Sequence, residues 1–338
     1  MFMPPSMPQT DGPETTVNVR GRRQPYLECR LIGGRRYYLL EQVGASFRQR
    51  YRAFEPSCGP GGDFFLVQRL QANELSNQRL TVLRRLKDDG FPRVWQWHRR
   101  GTDIDVVMTW VEGVTLAEYL TNIRAGRRPP VDPAHALRLV QGLAAAVAKL
   151  HHKLQISHGD IQPSNIVVTS HASRLVLIDF GSAWTSQQAA FRDEGDGHHR
   201  AYAAPELQTP GAVGGFAADQ FSASVILYEL LTMQLPYGGL GGKAGRPEFI
   251  GRASDALIPP STACHACVQL PRLLGELLDR VVGRGLALNP QDRYPDRNAW
   301  LNDLFEATAR FRLPLQLSAP ENLLTRVVRR FLKPRHEA

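Results

Sequence analysis

The sequence predicts an α+β fold in two lobes: a small antiparallel β-sheet lobe with one helix, then a larger, mainly helical lobe. Two observations carry this reading. The first third holds short runs rich in aromatic and β-branched residues, separated by turn-prone residues. From Pro133 onward, apolar residues recur at helical spacing over long stretches. The early strands are Tyr37–Val43, Arg50–Phe54 and Phe64–Leu70, with Cys58-Gly59-Pro60-Gly61-Gly62 turning the chain before the last of them. Leu75, Leu80, Leu83 and Leu86 place one helix over Glu74–Leu86, and strands around Trp95–Arg99 and Asp105–Val111 follow. In the second part, Pro133–His152 puts Leu137, Val140, Leu143, Ala144, Val147 and Leu150 on one face. Asp132 is its N-cap and Pro133 takes the first helical position. Two short apolar strands come next, Ile166–Val168 and Leu175–Ile178, then helices at Asp219–Thr232, Leu273–Gly283 and Arg297–Ala309.

The expected boundaries are a flexible, basic, proline-containing extension over 1–34, the small lobe over 35–109, the large lobe over 110–315 and a basic amphipathic tail over 316–338. Pro4, Pro5, Pro8 and Pro13, followed by Arg20, Arg22 and Arg23, give the first segment its character. The 338 residues are 43% hydrophobic and 22% charged, which excludes a wholly disordered chain. No run reaches the roughly 18 apolar residues of a membrane helix. The N-terminus lacks the basic start and apolar run of a signal peptide. Four cysteines in this length are too sparse for a disulfide scaffold. The expectation is a soluble protein of a reducing compartment, the cytoplasm. The net charge of +9 is spread widely and does not by itself point to nucleic acid.

The chemistry is concentrated in residues 156–206, which contain ISHGDIQPSNIVV, LVLIDFGSA and AYAAPE. Asp160 and Asn165 lie on a loop between a helix and a strand, and Asp179 ends the following strand. If the two strands pair, both segments face one cleft. Two carboxylates and an amide then converge, a set suited to a divalent metal, to phosphate and to accepting a hydroxyl proton.

The order and spacing of these motifs resemble the eukaryotic-type Ser/Thr protein kinase family over about residues 37–310. The resemblance implies a two-lobed protein-kinase-like fold, ATP and Mg²⁺ as cofactors, and transfer of phosphate to Ser/Thr hydroxyls of a protein substrate. His158-Gly159-Asp160 through Asn165 matches the catalytic loop. By that match Asp160 is the catalytic base, Asn165 holds a second Mg²⁺ and Asp179 of Asp179-Phe180-Gly181 holds the first. Ala204-Pro205-Glu206 matches the end of the activation segment. Asp219 matches the residue that hydrogen-bonds the catalytic loop, and Arg293 the partner of Glu206. Met108, Trp110 and Glu112 fall at the hinge, where the family binds adenine.

The small lobe departs from the pattern. In QVGASFRQRYRAF the family's glycine positions fall on Val43, Ala45 and Arg48, and a one-residue shift recovers only Gly44. Gln68 stands where the phosphate-holding lysine belongs, and Arg79 where its glutamate partner belongs. With-no-lysine kinases, a branch of the family, take this lysine from the hairpin, so Arg48, or Arg69 beside Gln68, could replace it. The alternative has Arg48, Arg50 and Arg52 alternating along a strand and facing solvent. In the large lobe, Gly159 and Gln162 replace the usual Arg and Lys. Gly159 removes the guanidinium that receives an activation-loop phosphate.

Two other readings therefore stand beside an active protein kinase. One is a pseudokinase serving as a binding or scaffolding module. The other is a small-molecule kinase, which Gly159 favours and Ala204-Pro205-Glu206 with Arg293 opposes. Cys264-His265-Ala266-Cys267 has metal-ligand spacing without the second pair a structural zinc site needs, and reads as ordinary loop cysteines. In ENLLTRVVRRFLKPR, Leu323, Leu324, Val327, Val328, Phe331 and Leu332 share one helical face and basic residues much of the other. Such a helix docks on a membrane surface or a protein partner, or packs back on the large lobe. The expected partners are a protein substrate or signalling protein, and no nucleic acid.

Overall fold

The computed structural model describes residues 16–44, 49–59, 61–170, 173–179, 184–185, 199–208, 215–249, 257–264 and 270–312. The chain opens with β1 (Thr16–Val19), β2 (Arg22–Pro25) and β3 (Glu28–Ile32). Next come β4 (Arg35–Gln42), β5 (Arg50–Glu55), β6 (Asp63–Gln71), α1 (Glu74–Leu83), β7 (Val94–Arg100) and β8 (Asp103–Thr109). Six of these strands form one antiparallel sheet in the order β3-β4-β5-β6-β8-β7.

Residues 16–34, expected as part of a flexible extension, thus carry three strands, and β3 is an edge of the main sheet. The β3–β4 turn is Gly33-Gly34, both with positive φ (+56° and +81°), the backbone a two-residue hairpin turn requires. Arg30 is buried in β3 because Glu28 (2.8 Å) and Asp105 of β8 (3.4 Å) neutralise it. A buried arginine hides the strand from any reading based on apolar alternation. Residues 1–15 lie outside the described part.

The sheet has two unlike faces because side chains alternate along each strand. Tyr37, Leu39, Ala53, Phe65, Val67 and Val107 pack on one face in a small cluster with Ile32. Leu66, Leu70, Val106 and Met108 point the other way, into the core shared with the helical lobe. Asn73 caps α1, accepting from the Ser76 amide at 2.7 Å.

The large lobe follows as β9 (Gly113–Thr115), α2 (Leu116–Arg124), α3 (Pro133–Leu154), β10 (Ile156–Ser157), β11 (Ile166–Thr169), β12 (Leu175–Leu177) and β13 (Trp184–Thr185). It continues as α4 (His199–Tyr202), α5 (Phe216–Thr232), α6 (Pro260–Ala263), α7 (Arg272–Gly285) and α8 (Arg297–Arg312). Thr115 caps α2, accepting from the Glu118 amide at 3.2 Å. The sequence reading lacked this helix, although Thr115-Leu116-Ala117-Glu118 carries the Thr-x-x-Glu start signal. Asp132 caps α3 as expected, accepting from the His135 amide at 2.9 Å. Helix α5 is buried nearly all round, from Ala218 to Leu231, which makes it the centre of this lobe.

Candidate active site

The loop after α3 is built by backbone geometry and one buried carboxylate. Gln155 ends α3 in a left-handed conformation (φ +53°), and β10 leads into His158-Gly159-Asp160. Asp219 of α5, only 1% exposed, sits beneath the loop. It accepts from the His158 amide (2.7 Å), the Gly159 amide (2.8 Å) and the Ser157 hydroxyl (3.0 Å). His151 Nε2 of α3 donates to it as well, at 2.8 Å. Burial alone would raise the Asp219 pKa. The hydrogen bond and charge of His151, the charge of His158 and the Gly159 amide outweigh that and hold it below the usual aspartate value. The ionised carboxylate thereby ties α3, α5 and the loop together.

Asp160 emerges from this support with both carboxylate oxygens engaged. Gln162 Nε2 donates to Oδ1 at 2.9 Å and Asn165 Nδ2 to Oδ2 at 2.7 Å. Asn165 also holds the Asp160 backbone carbonyl at 3.0 Å. A 3-10 turn over Pro163–Asn165 feeds β11, and β11 pairs antiparallel with β12 through Ile166 opposite Leu177. That register sets Asn165, just before one strand, beside Ile178-Asp179, just after the other. The Ile178 amide donates to the Asn165 carbonyl at 2.8 Å. The convergence expected from the strand pairing is therefore present. Asp179 is a non-glycine residue at φ +66°, a strained backbone of the kind that concentrates at functional sites. Phe180 and Gly181 lie outside the described residues.

The oxygen donors fit Mg²⁺. The Asn165 amide oxygen and the Asp179 carboxylate are hard ligands, and this ion binds through one or two such groups with phosphates supplying the rest.

The sheet roofs this loop. Gln68 of β6 lies on the face turned to the large lobe, opposite Arg50 of β5 and Val106 of β8. Met108 is buried in β8. Beyond it Trp110 and Glu112 meet Arg52 of β5, whose guanidinium lies 5.4 Å from the Trp110 ring centroid and 3.6 Å from the Glu112 carboxylate. The same guanidinium stacks 4.3 Å over Phe64. Gly44 ends the described stretch before the hairpin tip, at φ +76°. Arg48 lies outside the described residues, as does the side chain of Arg79.

Two expectations for the missing lysine need correction. Arg69 turns to the opposite face of the sheet from Gln68 and is bound to Asp105 at 2.8 Å. That hydrogen bond raises its pKa, and the residue is spent on the Arg30–Glu28–Asp105 network. Nor does Arg50 face solvent. Its side chain is 13% exposed and its Nη2 lies 2.5 Å from Asp179 Oδ1. The alternative that turns this arginine alternation to solvent therefore fails at Arg50. Tyr51 and Ala53, which alternate with Arg50 and Arg52, pack with the cluster on the other face.

The end of the activation segment is anchored as expected. Arg293, itself buried, grips Glu206 with two hydrogen bonds of 2.8 Å and also binds the carbonyls of Ala287 and Ala217. Tyr202 donates to Glu229 of α5 at 2.8 Å. Gly241 and Gly242 press against this segment, where a Cβ on Gly242 would meet the Ala203 carbonyl oxygen at 1.7 Å.

Comparison with known proteins agrees with this construction. The model of the "Protein kinase domain" family matches residues 68–293. The chain belongs to the protein kinase domain family. The match begins at Gln68, so the departures in the preceding hairpin fall outside it. The kinase domain is 30% identical over 241 residues to serine/threonine-protein kinase PknL of Mycobacterium tuberculosis, covering 70% of this chain and 56% of that protein. It is 33% identical over 138 residues to serine/threonine-protein kinase PrkC of Bacillus subtilis, covering 40% of this chain and 20% of that protein. The chain thus spans little more than half of one relative and a fifth of the other. Among solved structures, the kinase domain of Mycobacterium tuberculosis PknI aligns with a TM-score of 0.52 at 23% identity, covering 80% of this chain and 96% of that one. This likeness shows the fold. Among the described residues of this kinase domain, no helix is long and apolar enough to cross a membrane.

Proposed function

We propose that this kinase domain transfers the γ-phosphate of ATP to Ser/Thr hydroxyls of a protein substrate. The observation that carries the reading is the convergence of Asp160, Asn165 and Asp179 on one loop-and-strand support. Asp160 accepts the hydroxyl proton as the new P–O bond forms and the bond to the ADP oxygen breaks. Gln162 and Asn165 fix the orientation of its carboxylate in advance. Mg²⁺ supplies charge neutralisation at the phosphates when bound. Asn165 and Asp179 are the groups to hold it. Met108 and Trp110 shape the adenine end, with Glu112 and Gly44 at its margins and Gln68 beside the phosphates. Arg48 remains a candidate phosphate contact from the hairpin.

The proposed setting is the cytoplasm, with a protein partner as substrate and the basic C-terminal segment as a docking element. The test is transfer of labelled phosphate from Mg²⁺-ATP by the purified chain to itself or a generic protein substrate. Wild type is expected to transfer, with label on Ser/Thr. Asp160→Asn and Asp179→Asn are each expected to lose at least about 100-fold. Label that persists in either variant contradicts the residue assignments.

A second reading, a nucleotide-sensing pseudokinase, is favoured by one observation: Gln68 is neutral where the family has a lysine. Wild type that binds Mg²⁺-ATP but transfers nothing would select it.

A further inference from the structure

We infer that Arg50 is the phosphate-holding cation of this site, supplied from strand β5 in place of the lysine that Gln68 replaces. The inference rests on the reading of the cleft as a Mg²⁺-nucleotide site. Arg50 stands directly opposite Gln68 in the sheet register, so its guanidinium projects from the neighbouring strand on the same face. It opens β5, paired with Gln68 of β6, and its backbone carbonyl accepts from the Val43 amide at 2.9 Å. Its side chain is 13% exposed, deep enough that charge is felt strongly, and it reaches the carboxylate of Asp179. Its Nε is buried and has no hydrogen-bond partner among the described residues. A buried guanidinium donor without an acceptor is costly. An incoming group rich in acceptor oxygens would relieve it.

The chemistry that fits is a phosphate chain. The guanidinium presents several N–H donors in a plane, which matches phosphate oxygens bidentately. Asp179 cannot serve Arg50 and a dication equally well through the same oxygen. When Asp179 turns to metal, Arg50 loses its counter-charge and keeps its place beside the site. The phosphates that accompany the metal restore that charge. Among the described residues, the neighbouring cations have other partners: Arg52, whose own Nε is also buried without an acceptor, pairs with Glu41 and Glu112 and lies against two aromatic rings, and Arg69 binds Asp105 on the far face.

The experiment is calorimetric titration of the full chain with Mg²⁺-ATP and, separately, with adenosine. Four forms are compared: wild type, Arg50→Ala, Arg50→Lys and the double variant Arg50→Ala/Gln68→Lys. Arg50→Ala is expected to weaken Mg²⁺-ATP binding about tenfold to a hundredfold, the range for hydrogen bonds to charged groups, and to leave adenosine binding within about twofold. Arg50→Lys is expected to restore part of the loss. The double variant is expected to restore it by returning a cation to the neighbouring strand. Circular dichroism confirms that each variant is folded, and the rescuing variants carry the test if Arg50→Ala is not.

Unchanged or tighter Mg²⁺-ATP binding by Arg50→Ala would overturn the inference. The tighter case would make the Arg50–Asp179 pair a lock on the site. Wild type that binds no Mg²⁺-ATP would overturn both this inference and the proposed function. Wild type that binds through Arg50 but transfers nothing would overturn the proposed activity alone.

Discussion

Asp219 shows how a single residue holds the site. Four donors from two elements and the catalytic loop converge on one buried carboxylate, and its charge is stabilised in the folded chain. The sign of the pH effect follows. A carboxyl whose folded pKa lies below its unfolded value contributes fully above the ordinary aspartate range, about 4. The contribution fades as pH falls through the folded pKa. Asp219→Asn is therefore expected to lower the melting temperature at neutral pH and to flatten the loss of stability on acidification, read by thermal melts from pH 7 to pH 3. Parallel acid limbs for variant and wild type would contradict the depressed pKa. Asp160, Asn165, Asp179, Asp219 and Arg293 were all legible in the sequence, because short motifs with fixed spacing carry them. Arg50 was not. Its role depends on which face of β5 it occupies, and the chain's dense arginines gave that face no apolar signature.

Among the elements, the segment from Ala201 to Glu206 is held by contact without clearance. Gly241 and Gly242 let the backbone approach the carbonyls of Ala201 and Ala203. A side chain on Gly242 has nowhere to go, because the atom it meets is backbone. Gly242→Ala is expected to cost about 1–3 kcal/mol, the range for overpacking a close contact, measured by denaturant unfolding. A neutral effect would mean the glycine contact is dispensable. The strands that the sequence concealed are also explained at this scale. β2 reads Arg-Arg-Gln-Pro and is largely exposed, and β3 buries an arginine through ion pairs, so apolar alternation marks neither strand. Helix α3 was legible because its cap, its proline and its apolar face all agree.

For the molecule as a whole, the sheet and helices share one core. Leu66, Val106 and Met108 from the sheet pack with Leu116, Leu137 and Leu143 from the large lobe. The two-lobed α+β fold was legible because strand-period and helix-period segments are separated along the chain. The placement of the roof over the loop was not, since it depends on contacts between residues far apart in sequence. The roof carries a neutral Gln68 and a charged Arg50, and the floor carries Asp160, Asn165 and Asp179, the proposed base and metal-holding groups. On the proposed reading, Mg²⁺-ATP is held by Arg50 with Asn165 and Asp179, and the hydroxyl proton is taken by Asp160, so affinity and chemistry should separate experimentally at Asp160. The most direct measurement is Mg²⁺-ATP affinity and phosphotransfer in the same preparation of Asp160→Asn beside wild type. The account predicts affinity within about threefold of wild type and transfer reduced at least about 100-fold, because Asp160 acts on the hydroxyl proton and not on the nucleotide. Transfer that survives in Asp160→Asn would contradict it.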